Sequence, residues 1–192
     1  MTEHLPFIAL IGFGEAGSTF ARAGGWDHAA RAFDIAPERR AAMEEWGVEP
    51  CASAEEALAG AALVLSLVTA ASALAAAQDY ARFLAPGALW CDMNSVAPDT
   101  KRAAAKAVEE AGGLYADVAV MAPVDPARLG VPLLISGPAA GRAMACLNGL
   151  GFANTRIVGD EIGRASAIKM IRSVMVKGIE ALTWECAAAA EQ

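Results

Sequence analysis

Three sets of residues in this chain have types and spacings that can do chemistry. The first is Gly12-Phe-Gly14-Glu-Ala-Gly17, followed 22 positions after Gly12 by Asp34. At that spacing Gly12 permits a tight turn, Gly14 lets backbone approach a pyrophosphate, and Gly17 lets a helix pack closely on its strand. The helix start would add unpaired N–H groups and a partial positive charge for the phosphates. Asp34, at the tip of a second strand, is then placed to hydrogen-bond the ribose hydroxyls of an adenosine half. The pattern points to a bound dinucleotide; a glycine turn with no ligand is the alternative. The flanks favour the ligand: an apolar strand over residues 8–11, a helix through Ser18-Thr-Phe-Ala-Arg22 that stops at Gly24-Gly25, and a second strand at Ala30-Arg-Ala-Phe33. The expected cofactor contacts are Gly12, Phe13, Gly14, Glu15, Ala16 and Asp34, with Val68, Thr69 and Asn94 at later strand ends.

The second set is Asn94-Ser95, which follows a fourth strand and faces either a nicotinamide, a substrate, or nothing but a turn before Pro98. The third is Lys169, set among Ile168, Met170 and Ile171 on a long helix. A lysine in an apolar run loses hydration, which lowers its pKa toward proton-exchange range. Spacing alone favours the other reading, a lysine that snorkels to solvent.

The elements that must position these residues alternate regularly. Strands are expected near residues 6–11, 29–34, 62–68, 88–92, 114–120, 133–136 and 154–158. Helices fill the gaps: one opened by Pro37 and ended by Gly47, a short one capped by Ser53-Ala-Glu-Glu56, one from about Ala71 to Phe83, one from Pro98 to Ala111, and one over 139–150. Pro123 to Pro132 is read as loop up to the strand at Leu133. Strands alternating with helices imply an α/β, doubly wound, mostly parallel sheet. From Gly163 the character changes. Arg164 to Ala190 has no proline and only Gly178, and reads as one long helix. Ile168, Ile171, Met175, Ile179 and Leu182 form one apolar face, and Met170, Val174 and Ala181 a second. The sheet can cover only one of them, so a further domain or a second subunit is expected on the other. The expected division is residues 1–162 as a binding domain and 163–192 as the start of a helical one.

Composition narrows the function classes. The chain has 192 residues, with 15 Lys plus Arg against 22 Asp plus Glu and a net charge of −7. That, with no basic cluster, argues against nucleic acid as a partner. The four cysteines, Cys51, Cys91, Cys146 and Cys186, form no Cys-x-x-Cys pair, and His4 and His28 have no ligand-like spacing to them. Neither a metal site nor a disulfide framework is expected, and unpaired thiols suit the cytoplasm. Cys91 on a strand and Cys186 on a helix read as core. Residues 57–77 are 21 positions without a charge, long enough for a membrane span. Their interior is mostly alanine with Ser66, Thr69 and Ser72, so a buried strand running into a helix is favoured and no membrane partner is expected.

Taken in order, these motifs resemble the β-hydroxyacid dehydrogenase superfamily, which includes 3-hydroxyisobutyrate, tartronate semialdehyde and 6-phosphogluconate dehydrogenases. The family's Gly-Leu-Gly-x-Met-Gly is similar to Gly12-Phe-Gly-Glu-Ala-Gly17. Its acid and Ser-Thr or Asn-Ser pair after strand four match Asp92-Met-Asn-Ser95, and Asp99-Thr-Lys-Arg102 looks like the 6-phosphogluconate branch. Its Asp-Ala-Pro-Val-Ser-Gly-Gly segment aligns with Asp117-Val-Ala-Val-Met-Ala-Pro123, and its Gly-x-Gly/Ala-x-x-x-Lys motif with Gly163-Arg-Ala-Ser-Ala-Ile-Lys169. The nearest likeness is to a little-characterised branch related to 6-phosphogluconate dehydrogenase.

The resemblance implies a Rossmann-type sheet, a long helix that begins an all-helical domain absent from this chain, and a homodimer formed through that helical region. It implies NAD(P)-dependent hydride transfer to or from a small hydroxy acid or related polar alcohol, with Lys169 as general acid/base. Met121 and Ser173 fall on its substrate-binding positions, in place of the family's serine and asparagine; Ser95, with Asn94, would help place the substrate, and Arg172 pairs either with a substrate carboxylate or phosphate or with an acid in an interdomain salt bridge. Asp34 favours NAD, since a carboxylate there repels a 2′-phosphate; Arg39 and Arg40 keep NADP open, although a solvated helix face suits them better. Two alternatives stand beside this reading: a nucleotide-binding domain without turnover on its own, and an imine reductase-like enzyme, against which a lysine at 169 argues.

Overall fold

A computed structural model describes residues 7–27 and 29–190. His4 and His28 lie outside the described residues. The elements are β1 (Ile8–Ile11), α1 (Glu15–Gly24), β2 (Ala30–Phe33), α2 (Arg40–Glu45), β3 (Glu49–Pro50), α3 (Ala54–Leu58), β4 (Leu63–Ser66), α4 (Ala73–Tyr80), β5 (Leu89–Asp92), α5 (Pro98–Glu110), β6 (Leu114–Val120), β7 (Leu133–Ser136), α6 (Ala140–Gly149), β8 (Thr155–Gly159) and α7 (Arg164–Ala190). The strands form one eight-stranded sheet in the order β3-β2-β1-β4-β5-β6-β7-β8. All neighbours are parallel except β6 and β7, where Asp117 pairs with Ser136 in an antiparallel ladder.

The central strands are buried along nearly all their length because helices cover both faces, and they are apolar except for Ser66, Asp92 and Asp117. On β1, Ile8 and Leu10 join one side's core with Leu63, Leu65, Leu89 and Cys91. Ala9 and Ile11 join the other with Val64 and Trp90. The pleat alternates the side chains between the two layers. α1 is fixed by Phe20, whose ring meets Phe152 edge-on at 5.0 Å. Ser53 Oγ accepts the Glu56 N–H at 3.1 Å, as expected of a capping residue, while the Glu56 carboxylate accepts from the Ala52 N–H.

Several expectations are corrected. The helix opened by Pro37 starts as a 3-10 turn over Pro37–Arg39 before α2, and the two-residue edge strand β3 follows it. β7 runs antiparallel because residues 121–132 hold only one 3-10 turn, Arg128–Gly130. Without a crossover helix the chain returns directly beside β6. Residues 57–77, by contrast, follow the favoured reading: the end of α3, the buried strand β4 and the start of α4, and among the described residues no helix is long and apolar enough to cross a membrane. On α7 only Ala165 and Ser166 are buried. The sheet covers just the start of this helix, and Ile171, Val174, Met175, Ile179, Leu182 and Trp184 are all exposed. Cys186, read as core, is exposed for the same reason, whereas Cys51 and Cys91 are buried. Burial pushes the Cys51 thiol up to about 11, and pushes Cys91 further in the same direction.

Candidate functional site

The loops after β1 and β4 diverge, since β1 leads away to β2 and β4 to β5 on the opposite side. That reversal of strand order opens a crevice at the carboxyl ends of the strands, where ligands of such sheets bind.

The three glycines of the first loop meet different surroundings. Gly12 has φ +95°, and a Cβ there would stand 2.6 Å from the Leu67 carbonyl oxygen. A Cβ on Gly17 would stand 2.8 Å from the Gly12 carbonyl oxygen. Around Gly14 nothing lies within 4 Å of the corresponding point. The first and third glycines are therefore demanded by the fold itself. Gly14 instead leaves an open approach to the start of α1, where no side chain caps the helix. The first bond of that helix runs from the Ser18 N–H to the Gly14 carbonyl. The N–H groups of Glu15, Ala16 and Gly17 precede it and face an anion-favouring helix terminus.

Asp34 is built into this turn. Its Oδ2 accepts the Phe13 N–H at 2.6 Å and its Oδ1 the Ala36 N–H at 2.9 Å. The Phe13 ring is buried in the core and its N–H is committed to Asp34.

Two clefts meet here. The first, about 430 Å³, is lined by Gly12, Gly14, Asp34, Arg39, Val68, Thr69 and Tyr80. The second, about 410 Å³, is lined by Glu15, Ala16, Asn94, Ser95, Pro123 and Lys169. Leu67 and Val68 line both. A dinucleotide has two halves joined by a pyrophosphate. The glycine turn at the junction of two clefts, open where a Cβ on Gly14 would sit, fits such a molecule. Arg39, read as a solvated residue, lines the first cleft beside Asp34. Among the described residues no cluster of His, Cys, Asp and Glu could hold a metal.

In the second cleft the Lys169 Nζ donates to Ser95 Oγ at 2.5 Å. Burial holds the Lys169 amine below its ordinary pKa, and the nearby Lys101 cation acts in the same sense; Asp117 opposes them. Arg172, one turn further along α7, donates to the Met121 carbonyl at 2.6 Å. Met121, Arg172 and Ser173 are not among the residues that line the Lys169 cleft, although Val120 and Ala122 on either side of Met121 are.

Beneath the cleft lies a buried polar network that the sequence reading missed. Lys101 is fully buried. Its Nζ donates to the Asp92 carbonyl at 2.6 Å and to Asp92 Oδ1 at 2.9 Å. It also lies 3.4 Å from Asp117 Oδ1, as an ion pair. Asp92 Oδ1 further accepts from the Asn94 backbone N–H at 2.9 Å and side-chain amide at 2.8 Å, and Oδ2 accepts from Tyr115 Oη at 2.7 Å. Burial, then the Asp92 charge, pushes the Tyr115 hydroxyl well above its usual range. Asp117 Oδ2 accepts from the Ser166 N–H at 3.0 Å and Ser166 Oγ at 2.6 Å, which ties down the start of α7. One signal was available: Lys101, Ala104, Ala105 and Val108 are the buried residues of α5, at i, i+3, i+4 and i+7.

A family model, the NAD binding domain of 6-phosphogluconate dehydrogenase, matches residues 7–151. No curated protein matches the chain. Among solved structures, a conserved hypothetical protein from Sinorhizobium meliloti 1021 is 41% identical with a TM-score of 0.87, over 98% of this chain and 66% of its own length. A conserved protein of unknown function, reported as structurally similar to 3-hydroxyacid dehydrogenases, is 32% identical with a TM-score of 0.83, over 96% of this chain and 69% of its own. An imine reductase variant from Myxococcus stipitatus in complex with NAD+ is 24% identical with a TM-score of 0.80, over 94% and 64%, and shares the fold. The chain thus spans about two thirds of the length of these structures.

Proposed function

The chain belongs to the family of the NAD-binding domain of 6-phosphogluconate dehydrogenase, and from that premise we propose an oxidoreductase that moves hydride to or from a small hydroxy acid or related polar alcohol. The observation that carries this reading is Lys169, partly buried in the second cleft and bonded to Ser95 Oγ at 2.5 Å. When bound, the nicotinamide supplies the hydride donor or acceptor. The chain supplies the rest. The N–H groups of Glu15, Ala16 and Gly17 would hold the pyrophosphate beside the open face of Gly14. Asp34 has lone pairs left for ribose hydroxyls, because each oxygen accepts one backbone N–H. Val68 and Thr69 would flank the adenosine side and Asn94 the nicotinamide side.

Lys169 takes the hydroxyl proton as a neutral amine in oxidation and returns it as ammonium in reduction. Its lowered pKa lets both forms exist nearer working pH. Ser95 Oγ, now its partner, is positioned to pass that bond to a substrate hydroxyl. Arg172 can exchange the Met121 carbonyl for a substrate carboxylate or phosphate, with Ser173 next to it in the chain. The Asp34 charge in the first cleft supports NAD; Arg39 in the same cleft is the feature that would serve NADP.

We further propose that residues 1–162 form the binding domain and 163–192 open a helical one. The exposed apolar side of α7 supports a homodimer as its cover. Comparing hydride transfer by wild type and Lys169→Ala, with NAD binding measured in parallel, tests the function. Lost turnover with retained binding supports it, and unchanged turnover removes Lys169 from the mechanism. Cofactor binding with no turnover, in this chain and in a form of the relatives' length, would favour a nucleotide-binding module instead.

A further inference from the structure

Lys101 is buried too deeply to meet a ligand, yet it stands between the two elements that carry the reactive pair. On one side, Asp92 holds the Asn94 backbone N–H and side-chain amide, one residue before Ser95. On the other, Asp117 holds the Ser166 N–H and hydroxyl, one helical turn before Lys169. The Ala165 N–H is bound in turn by Ser136 Oγ at 3.0 Å. Lys101 reaches both carboxylates from α5, with both Asp92 and Asp117 fully buried. The Lys101 ammonium donates to the Asp92 carbonyl and to Asp92 Oδ1, and it is ion-paired at 3.4 Å with Asp117 Oδ1, a buried oxygen with no hydrogen-bond partner among the described residues.

We propose that Lys101 is a positioning residue that aligns Lys169 on Ser95 by clamping the Asp92–Asn94 loop to the start of α7. This rests on the reading of Lys169 as the acid/base. Two consequences separate the clamp from mere structural support. A loosened clamp lets the Ser95–Lys169 pair drift, and a misplacement of about 1 Å can cost about 10²-fold in rate. The clamp is also a charge. Of the elements packed on α7, α5 carries Lys101 with the exposed Asp99–Arg102 pair, Lys106, Glu109 and Glu110, β6 carries Asp117 and the Tyr115 hydroxyl that donates to Asp92, β8 carries Arg156, and β7 carries none. Across the cleft stands Glu15, and Arg172 lies on α7 itself. Lys101 and Asp117 are the two that act on Lys169, in opposite senses and with Lys101 the larger. Removing Lys101 therefore moves the Lys169 titration to higher pH.

The experiment is a pH titration of the ¹³C-methylated Lys169 amine by NMR, its signal assigned by loss in Lys169→Arg. It is run on wild type, Lys101→Met, and Lys101→Met with Asp117→Asn. The double variant removes one charge of each sign, so it keeps the network's net charge if the single variant does not fold. The expected result is an upward shift of the Lys169 midpoint in Lys101→Met, offset in the double variant by the loss of Asp117, with kcat reduced by about 10²-fold and NAD affinity retained in whichever variant folds. An unshifted midpoint in Lys101→Met, or a kcat equal to that of wild type in either variant, overturns the proposal. The titration needs no turnover, so a Lys169→Ala enzyme that remains active would sink the functional reading while leaving the Lys101 result to be judged by itself.

Discussion

Replacing Gly14 with alanine separates a ligand-binding turn from a purely structural one. A Cβ at Gly14 meets nothing within 4 Å, and the residue sits at φ −77°, so the fold accepts the methyl group. Alanine is a poorer N-cap than glycine by about 0.5–1 kcal/mol. Loss of glycine's freedom in the unfolded chain returns about 0.4–1 kcal/mol. The two nearly cancel, and Tm should stay within about 2 °C of wild type. Cofactor binding should not survive so well. The methyl group would stand at the open approach to the Glu15, Ala16 and Gly17 N–H groups. Loss of two hydrogen bonds to a charged pyrophosphate, at about 1.5–3 kcal/mol each, predicts a loss of about 3 kcal/mol or more. In Kd that is about 10²-fold or more. Gly12→Ala is the contrasting case. Its φ of +95° and the Leu67 carbonyl 2.6 Å from the new Cβ make it destabilising before any ligand is added. The backbone alone costs about 1–3 kcal/mol, enough to lower Tm by several degrees. Calorimetric titration with NAD beside thermal unfolding reads both variants. If Gly14→Ala binds NAD as tightly as wild type at unchanged Tm, the crevice is not the pyrophosphate site.

Lys169→Ala should abolish turnover while leaving the NAD Kd within about twofold, because the lysine touches Ser95 and not the glycine turn. In the oxidation direction the rate should rise with pH through the Lys169 titration, because the amine must be neutral to take a proton. Burial places that rise below the ordinary 10.5, and a pH–rate profile with no such limb would contradict the assignment. Asp34→Ser should move preference from NAD toward NADP, by about tenfold in the ratio of Kd values, as the carboxylate that repels a 2′-phosphate is removed. It should also loosen the Phe13 turn, read as a small fall in Tm. If α7 is covered by a second copy, Ile171→Glu with Ile179→Glu should convert a dimer to a monomer in sedimentation; a monomer in the unmutated chain would contradict the homodimer.

What the sequence made legible was what depends on near neighbours in the chain. The spacing of Gly12, Gly14 and Gly17 before Asp34 carried the crevice, because a strand, a turn and a helix start are local. The range of α7 was readable because no proline or paired glycine interrupts residues 164–190. Long-range partners were not readable. Nothing in the spacing says that Asp34 accepts the Phe13 N–H, or that Lys101 meets Asp117 from another strand. The helical periodicity puts Lys101 on the buried face of α5, but identifying the carboxylates that make such a lysine tolerable needs the sheet register of β5 and β6, which pairs Asp92 with Asp117. Cys186 was misread because apolar periodicity does not say whether anything covers a helix face. The antiparallel β7 follows from a loop too poor in helix to cross the sheet, a signal present in residues 121–132.

In the proposed reading, Lys101 and Lys169, two lysines of one small region, divide their tasks. Lys101 is fully buried against two carboxylates and holds elements together. Lys169 is only partly buried, bonds a single hydroxyl and faces a cleft. A proton-transfer group needs access to solvent or substrate, and a clamp needs neither.

The most direct test of the account is a single-turnover measurement of nicotinamide reduction, with NAD saturating and a panel of small hydroxy acids and polar alcohols, on wild type and Lys169→Ala. The account predicts reduced nicotinamide from wild type with at least one member of the panel, and none from Lys169→Ala although it binds NAD equally well. Equal reduction by both proteins would contradict it.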